Sequence, residues 1–528
     1  KDSDMRLRGL KLALVATFVF SLAGANAVAQ DDEFKGKIGT TLADSEQYWP
    51  EPVTPPEGAP NVLIWLIDDM GYGHSSAFGG LTPMPTIERL ADNGLRYNNF
   101  HTTALCSPSR AAIAAGRNHH NIGMGSHSLT AMGFPGYNAH PPDSAKGFSD
   151  ILKNEGWSTM FLGKWDHTPQ WESTFSGPFD RWPAGDGWEH FYGFMSGDMN
   201  NFNPIMWMDH TPVQPNYDQP GYHVNADMAD TAIRWISMLR ASAHTKPFVM
   251  FWATGAVHAP HQAPRDWVER FKGKFDMGYD KARELILANQ IEMGIVPPGT
   301  KLSPRDDEIP AWDTLNDQEK ALYARQMEAF AGQLAYSDYE FGRILDYLER
   351  IGELDNTLVI FTSDNGGSAE GGLHGTFNEN GFFNGVPNIP YEVNSQYINE
   401  WGNRVGVWHV TAGWTMAGNT PFPYYKQSAH RGGNADPLVI SWPKGIDERY
   451  NGQIRSQYSH IIDIAPTILA AARVEAPEVI DGVEQMPFDG IALNYSFADP
   501  DAKDRRTVQY YEIFGNRGIY ADGWTAAT

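Results

Sequence analysis

The stretch 61-NVLIWLIDDMGYG-73 decides the fold, because an unbroken apolar run ends abruptly in two adjacent carboxylates. Three further apolar runs end in polar bursts in the same way, at residues 159–162, 248–252 and 358–361. Continuous apolar runs of this length are typical of strands buried on both faces of a parallel sheet. Helical patterns at residues 86–93 and 317–350 lie between the runs, and each ends close to a glycine. This alternation predicts an α/β sandwich.

The polar bursts are predicted to meet at one edge of the sheet, since sites in open α/β sheets form outside the carboxyl ends of the strands. They supply candidate site residues from four strands: Asp68, Asp69, Lys164, His258, Asp364 and Asn365. Three long excursions rich in aromatic residues and glycine, at residues 171–222, 275–312 and 377–425, are expected to run over this edge as loops.

The acidic bursts have two interpretations. Asp68 and Asp69, with Asp364 and Asn365, offer an all-oxygen set that suits a hard cation such as Ca²⁺ or Mg²⁺ and disfavours zinc. Alternatively, the first pair caps a helix and the second makes a turn, a role that Asp and Asn commonly fill. Either pair alone favours the turn. Two pairs in the same context favour a metal site.

Composition excludes some partners and predicts export. The formal net charge is −24, from 40 basic and 64 acidic residues, which argues against nucleic acid or an anionic membrane as a stable partner. A basic start after Met5, an apolar run at residues 12–25 and Ala27-Val28-Ala29 match a secretory signal peptide. An uncleaved anchor is the alternative, although the run is short for a membrane span. We therefore expect an exported, periplasmic or secreted protein.

The chain is expected to divide into four parts. Residues 1–29 hold the signal peptide and the residues before it, and residues 30–60 form a linker whose end is rich in proline. Residues 61–475 carry the alternating strands and helices of an α/β catalytic domain. Residues 476–528 would begin a smaller C-terminal domain, with a strand predicted at 507–513.

The only cysteine, Cys106, lies in 105-LCSPSRAAIAAGR-117. One cysteine cannot form an internal disulfide, so it is either a buried apolar residue or a chemical group. Ser107 as N-cap and Pro108 in the first turn predict a helix that begins at this point. Cys106 would then lie at a positive helix terminus, where anions bind and nucleophiles are stabilised, with Arg110 close by.

Cys106-Ser107-Pro108-Ser109-Arg110 resembles the C-x-P-S-R signature of the type I, formylglycine-dependent sulfatases, an arylsulfatase-like group in the alkaline phosphatase superfamily. The resemblance extends over most of the chain from about residue 61. It implies that a formylglycine-generating enzyme oxidises Cys106 to Cα-formylglycine, whose hydrated aldehyde is the nucleophile. It also implies a large mixed, mostly parallel sheet sandwiched by helices, and a smaller C-terminal α+β domain around an antiparallel sheet, present only in part here.

The resemblance assigns roles residue by residue. Asp68, Asp69, Asp364 and Asn365 match the family's metal ligands, with Ca²⁺ expected rather than Mg²⁺. Arg110 matches the arginine that orients the formylglycine. Lys164 and Lys426 match its two sulfate-binding lysines, and His258 matches the histidine that protonates the leaving oxygen. The implied activity is hydrolysis of small sulfate monoesters, with aryl sulfates as the expected substrates.

One departure concerns a further histidine, which the family carries two residues after its first lysine and uses to release sulfate. This chain has Asp166 at that position and His167 next to it. We expect His167 to act there; the alternatives are that Asp166 is the base or that the step is impaired.

Two other functions stay open: a phosphonate monoester or phosphodiester hydrolase of the same superfamily, and a catalytically silent binding protein.

Overall fold

The computed structural model describes residues 34–386 and 388–528 of the chain. The predicted signal peptide, residues 1–29, lies outside the described residues. The chain divides into two compact units, one ending at Val53 and the other spanning Thr54–Thr528. In the first, an antiparallel bridge joins Lys37 to Glu46. No helix within residues 34–386 or 388–528 has the length and apolar character needed to cross a membrane.

The second unit is built on an eleven-stranded mixed sheet. Its strands are β1 (Asn61–Ile67), β2 (Leu95–His101), β3 (Ser158–Lys164), β4 (His190–Phe194), β5 (Met206–Met208), β6 (Thr211–Val213), β7 (Phe248–Ala253), β8 (Thr357–Ser363), β9 (Ala435–Ser441), β10 (Gln453–Arg455) and β11 (Ser459–His460). The order is β10-β2-β9-β8-β1-β7-β3-β4-β5-β6, and β11 also pairs with β2.

The four apolar runs form the adjacent strands β8, β1, β7 and β3, which are all parallel. Every residue of these four strands is buried. Val62 of β1 lies opposite Val249 of β7 and Leu358 of β8, so the carboxyl ends of the strands meet at one edge. The predicted parallel core is therefore confirmed. The pairs of β9 with β8 and with β2 are antiparallel, which makes the whole sheet mixed.

Helices cover both faces of the sheet. They are α1 (Pro85–Asp92), α2 (Cys106–Ala115), α3 (Phe148–Asn154), α4 (Val224–Ser242), α5 (Arg265–Glu269), α6 (Gly278–Glu292), α7 (Asp317–Arg350), α8 (Asn380–Phe383), α9 (Tyr391–Asn394), α10 (Ala412–Gly418), α11 (Arg431–Asn434) and α12 (Ile464–Ala472). The bounds of α7 are those that the sequence predicts. A capping box between Asn316 and Glu319 fixes its start.

The alternation of β1 divides the core into two layers. From Val62 onward, its even-numbered residues pack in an apolar cluster with α2, α3 and α12. Its odd-numbered residues from Leu63 pack in a second cluster with α1, α4 and α7. Because successive side chains of a strand point to opposite faces, a strand that is apolar throughout requires helices on both sides. The predicted sandwich is thus confirmed.

After residue 475 the chain forms short antiparallel strands. They are β12 (Val479–Ile480), β13 (Val483–Glu484), β14 (Val508–Ile513), β15 (Asn516–Ala521) and β16 (Trp524–Ala527). β14, β15 and β16 make a three-stranded antiparallel sheet, which is the core expected of the C-terminal segment. Its Tyr511 and Tyr520 pack on Tyr458, next to β11.

All three excursions differ from their prediction as loops, since residues 275–312 contain α6 and residues 377–425 contain α8, α9 and α10. Residues 171–222 include β4, β5 and β6, which extend the sheet beyond β3. β4 pairs in parallel with β3, and β5 and β6 add antiparallel strands of three residues each. Strands this short, interrupted by glycine and proline, show no clear alternation in the sequence.

Gly163, one residue before Lys164, lies where β3 and β7 approach each other closely. It adopts a φ of 106°, and a Cβ there would lie 1.8 Å from the carbonyl oxygen of Ala253. We expect Gly163→Ala to lower the free energy of unfolding by about 3 kcal/mol, because the strands cannot separate without losing register. The midpoint of thermal unfolding measures this.

Gly133→Ala is the matched control, because a Cβ at Gly133 meets nothing within 4 Å. Its free energy of unfolding should change by less than about 0.5 kcal/mol. Equal unfolding midpoints for the two variants would contradict the packing argument.

Candidate active site

The carboxyl edge of the parallel strands collects buried polar side chains. Of the predicted site residues, those that lie in one connected cluster are Asp68, Asp69, Cys106, Arg110, Lys164, His258, Asp364, Asn365 and Lys426. Each is less than about a tenth exposed. They come from the ends of β1, β3 and β8, from α2, and from the connections after β7 and α10. The structure therefore assembles a site from segments far apart in sequence.

Each acidic side chain in the cluster is paired with a different basic one. Lys164 Nζ lies 2.7 Å from Asp68 Oδ2. An Arg110 nitrogen lies 2.7 Å from Asp364 Oδ2. Lys426 Nζ lies 3.0 Å from a carboxylate oxygen of Asp69. Buried charges are tolerated only when they are paired and hydrogen-bonded, so the three pairs depend on one another.

The pKa values of the three carboxyl groups shift in different directions in this environment. Burial and the neighbouring Asp68 raise the pKa of Asp364 to about 7, although Arg110 and Lys164 oppose the shift. Burial also raises the pKa of Asp68. Burial acts in the same direction on Asp69, but Lys426 and His258 outweigh it and hold its pKa well below the usual range. A further positive charge at this edge would therefore stabilise the ionised forms of Asp68 and Asp364.

The oxygen atoms present fit a hard divalent cation. Asp68 Oδ1 and Asn365 Oδ1 are buried and have no hydrogen-bond partner among the residues that the structure describes. Carboxylate oxygens of Asp68 and Asp364 lie within 4.8 Å of each other and of the Cys106 sulfur. The amide of Asn365 is held by its Nδ2, which donates to Asp69 Oδ1 at 2.6 Å. An all-oxygen set of this kind is the one that calcium and magnesium prefer.

Cys106 is the first residue of α2, and Leu105, not Ser107, is the N-cap. The Ser107 hydroxyl instead donates to Asp166 Oδ2 at 3.2 Å. Cys106 is 1% exposed, and burial raises the pKa of its thiol well above the usual value despite Lys164 and Lys426. Cys106 thus lies at the start of a helix, as the sequence predicts, and burial there favours the protonated thiol.

His258 presents one ring nitrogen to the cluster. Its Nδ1 lies 2.8 Å from the carbonyl oxygen of Ala259, which an N–H at that position satisfies. Its Nε2 lies 3.6 Å from Asp69 Oδ2. Burial and the nearby Lys426 lower the pKa of the ring, and Asp69 opposes them. The backbone contact fixes the ring so that Nε2 can exchange a proton with a group bound at the site.

The structure does not bring His167 into the cluster. Its Nδ1 lies 2.8 Å from the carbonyl oxygen of Trp165, and its ring packs against the Trp165 indole with centroids 3.7 Å apart and the planes tilted by 34°. Its Nε2 is 3.9 Å from Asp186 Oδ2. His167 lines a separate cavity of about 280 Å³, together with His140 and Arg181. Asp166, by contrast, faces the cluster, with Oδ2 3.6 Å from Lys164 Nζ.

A histidine that sequence reasoning missed lies beside Asp166. His127, on the connection after α2, places Nε2 3.3 Å from Asp166 Oδ2. Ligand atoms of His127, Asp166 and Cys106 lie within 4.8 Å of one another. Its sequence neighbourhood carries no motif, and the only signal was indirect, namely that Asp166 stands where the family that the sequence resembles carries a histidine.

Two glutamates on the far side of Lys426 were also missed. Glu370 lies 3.3 Å from Lys426 Nζ and accepts a hydrogen bond from Gln427 Nε2 at 2.7 Å. Glu379 is 1% exposed, and neither of its carboxylate oxygens has a hydrogen-bond partner among residues 34–386 and 388–528. Both lie in or next to the excursion at residues 377–425, where the sequence predicted only a loop.

The comparison with protein families decides what this cluster belongs to. Residues 60–474 match the family model described as Sulfatase, which is most of the chain. The chain belongs to the sulfatase family. This match confirms the family that the motif at Cys106 predicts.

Known proteins similar to this sulfatase agree with the family and the fold. An uncharacterised sulfatase of Schizosaccharomyces pombe is 31% identical over 445 residues, covering 79% of this chain and 76% of the relative. An arylsulfatase of Klebsiella aerogenes is 26% identical over 444 residues, covering 82% and 91%. The crystal structure of Ps i-CgsB in complex with k-i-k-neocarrahexaose has a TM-score of 0.60 at 20% identity, covering 89% and 84%.

Cys106 burial gives a direct test of the site's packing. In this sulfatase produced without maturation, we expect native Cys106 to react with iodoacetamide more than about 100-fold slower than a solvent-exposed thiol, because burial keeps the thiol protonated and unreactive. Mass spectrometry of the intact protein reads the reaction, and Cys106 is the only possible site. The same protein in denaturant is the control. Rapid native labelling would contradict the observed burial.

Proposed function

We propose that this sulfatase hydrolyses aryl sulfate monoesters with a nucleophile derived from Cys106 and a bound Ca²⁺. The observation that carries the proposal is the position of the chain's only cysteine. Its sulfur lies within 4.8 Å of carboxylate oxygens of Asp68 and Asp364, while Lys164 and Arg110 are ion-paired to the same two acids. A sulfate ester at this point would meet a nucleophile and several positive charges together.

Two groups complete the proposed site. Cα-formylglycine at position 106 would supply a hydroxyl of its hydrated aldehyde as nucleophile, and Ca²⁺ would offset the negative charge of the ester. The ligands we assign to the cation are Asp68, Asp69, Asp364 and Asn365. Three carboxylates and an amide suit the six to eight oxygen ligands of Ca²⁺ better than Mg²⁺, which usually keeps several waters.

The basic residues neutralise and orient the substrate. The ammonium groups of Lys164 and Lys426 would bind the sulfuryl oxygens, whose charge otherwise repels a nucleophile. Arg110 is held by Asp364 and by the Lys164 carbonyl at 3.2 Å, so its guanidinium is rigidly placed beside residue 106. His258 Nε2 would donate a proton to the leaving oxygen. Bound sulfate adds negative charge beside the ring and so favours its protonated form.

We assign the release of sulfate to the pair of Asp166 and His127 instead of His167. The Leu129 amide donates to His127 Nδ1 at 3.2 Å, so a neutral ring carries its proton on Nε2, which lies 3.3 Å from Asp166 Oδ2. The Asp166 carboxylate would accept the proton of the residue-106 hydroxyl when sulfate departs, and the Nε2–H of His127 would hold that carboxylate in place. His127 and Lys164 outweigh burial and keep the pKa of Asp166 below its usual range, so its carboxylate is ionised for this role.

The proposal includes export and maturation. The signal-peptide pattern at residues 1–29 supports delivery to the periplasm or the medium. The C-x-P-S-R signature at Cys106 supports recognition by a formylglycine-generating enzyme. With its acidic surface, the protein would act on small sulfate esters rather than on nucleic acid.

The function is tested by comparing kcat/KM for an aryl sulfate and for matched aryl phosphate diester and phosphonate substrates. Protein matured by the formylglycine-generating enzyme in the presence of calcium should prefer the sulfate by at least about 100-fold. Cys106→Ala should lose this turnover, and calcium chelation should reduce it reversibly. A preference for the phosphorus esters would transfer the enzyme to the alternative hydrolase class. No turnover by matured protein would favour a silent binding protein.

The role of His127 predicts a change in rate-limiting step. His127→Ala should release about one equivalent of phenol per enzyme at near wild-type rate and then turn over about 100-fold more slowly, because only the later proton transfer is affected. Stopped-flow measurement of phenol release separates the two phases.

His140→Ala is the matched control, since His140 lies on the same connection but beside Glu172. It should show wild-type kinetics. A burst in His167→Ala, with none in His127→Ala, would return the role to His167.

A further inference from the structure

We propose that Glu379 forms a subsite for the organic part of the substrate, and that this subsite selects leaving groups with an ammonium or hydroxyl hydrogen-bond donor over anionic ones. The inference rests on the proposed function, because His258 marks the side on which the leaving oxygen lies. It adds a substrate class that neither the family nor the site residues described above specify.

Glu379 is a buried acceptor. It is 1% exposed, and within the described part of the chain neither of its carboxylate oxygens has a hydrogen-bond partner. His409 is an ionisable group close to it, with Nε2 3.7 Å from Oε1. A buried carboxyl group that makes no hydrogen bond is unfavourable, so such groups are retained mainly where a ligand satisfies them.

The backbone holds Glu379 in place. Its amide donates to the carbonyl oxygen of Val407 at 3.0 Å, and bridges pair Asn378 with Val407 and Thr376 with His409. The neighbouring Glu370 is different, because its carboxylate already accepts from Lys426, Gln427 and Ser368. Of these two glutamates, Glu379 is therefore the one whose carboxylate oxygens are available to accept hydrogen bonds from a ligand.

Glu379 lies close to His258, the residue proposed to protonate the leaving oxygen. One of its carboxylate oxygens, a ring nitrogen of His258 and a carboxylate oxygen of Glu370 all lie within 4.8 Å of one another. Since Nδ1 of His258 is engaged by the backbone, Nε2 is the nitrogen available on this side. A substituent on the alcohol that receives its proton from His258 would thus meet the carboxyl group of Glu379.

The local charge explains the selectivity. Burial, followed by the nearby Glu370 and Asp198, raises the pKa of Glu379 well above its usual value. A carboxyl group in this setting binds a hydroxyl by hydrogen bonding, and an ammonium group favours its ionised form. A carboxylate or second sulfate on the substrate would add negative charge beside the buried carboxyl groups of Glu370 and Glu379 and be rejected.

The test measures binding, so that it does not depend on turnover. Three phenyl sulfates with para aminomethyl, hydroxymethyl and carboxylate substituents, and unsubstituted phenyl sulfate, are titrated into the Cys106→Ala protein by calorimetry. We expect the ammonium and hydroxyl compounds to bind at least about tenfold more tightly than the carboxylate. Adding Glu379→Gln should bring the ammonium and carboxylate compounds within about twofold of each other.

Glu392→Gln is the matched control, because Glu392 lies on the same excursion but is exposed. It should leave the ratio unchanged. Equal binding of the three substituted compounds, or a ratio that survives Glu379→Gln, would overturn the subsite while leaving the proposed function intact. Loss of one bound calcium per chain in Glu379→Gln would overturn it in favour of a cation site. Failure of unsubstituted phenyl sulfate to bind would overturn the proposed function and this inference with it.

Discussion

Three carboxyl groups buried side by side, Asp68, Asp69 and Asp364, are the constraint on which the rest of the site depends. In a low-dielectric interior, like charges at this spacing repel strongly unless each has a partner of opposite sign. The partners Lys164, Arg110 and Lys426 come from three separate segments. The charges of the three carboxylates are therefore balanced only when several elements are in place together. These are the strands in the order β8-β1-β7-β3, the helix α2 and the connection after α10.

The fold was largely predictable because burial on both faces leaves a direct mark on a strand, an apolar run with no alternation. β1, β3, β7 and β8 carry that mark, and α7 carries both a long apolar stripe and a capping box. The short strands β4 to β6 carry neither. Their pairing depends on the edge of β3 in the assembled sheet. The local sequence of these strands does not contain that information.

The site divides in the same way. Residues in motifs, such as Cys106 and Arg110, were located from the sequence, whereas His127 and Glu379 were not, because long connections place them. A local feature of the backbone explains why His167 lies outside the cluster in which the sequence analysis expected it. Asp166 has a φ of 59°, in the left-handed region, so the side chains of residues 166 and 167 diverge and only the first faces the cluster. Adjacency in sequence did not mean adjacency in space.

The burial of Cys106 imposes an order of events on the life of the molecule. The side chain begins a helix whose every residue is buried, so no enzyme can reach it once the sheet edge has closed. Modification of Cys106, which the proposed function requires, would therefore have to precede folding. Folding would then compete in time with this proposed step. A variant that folds faster would accumulate as a stable, well-packed protein with an inert thiol, and later exposure to the modifying enzyme would not rescue it.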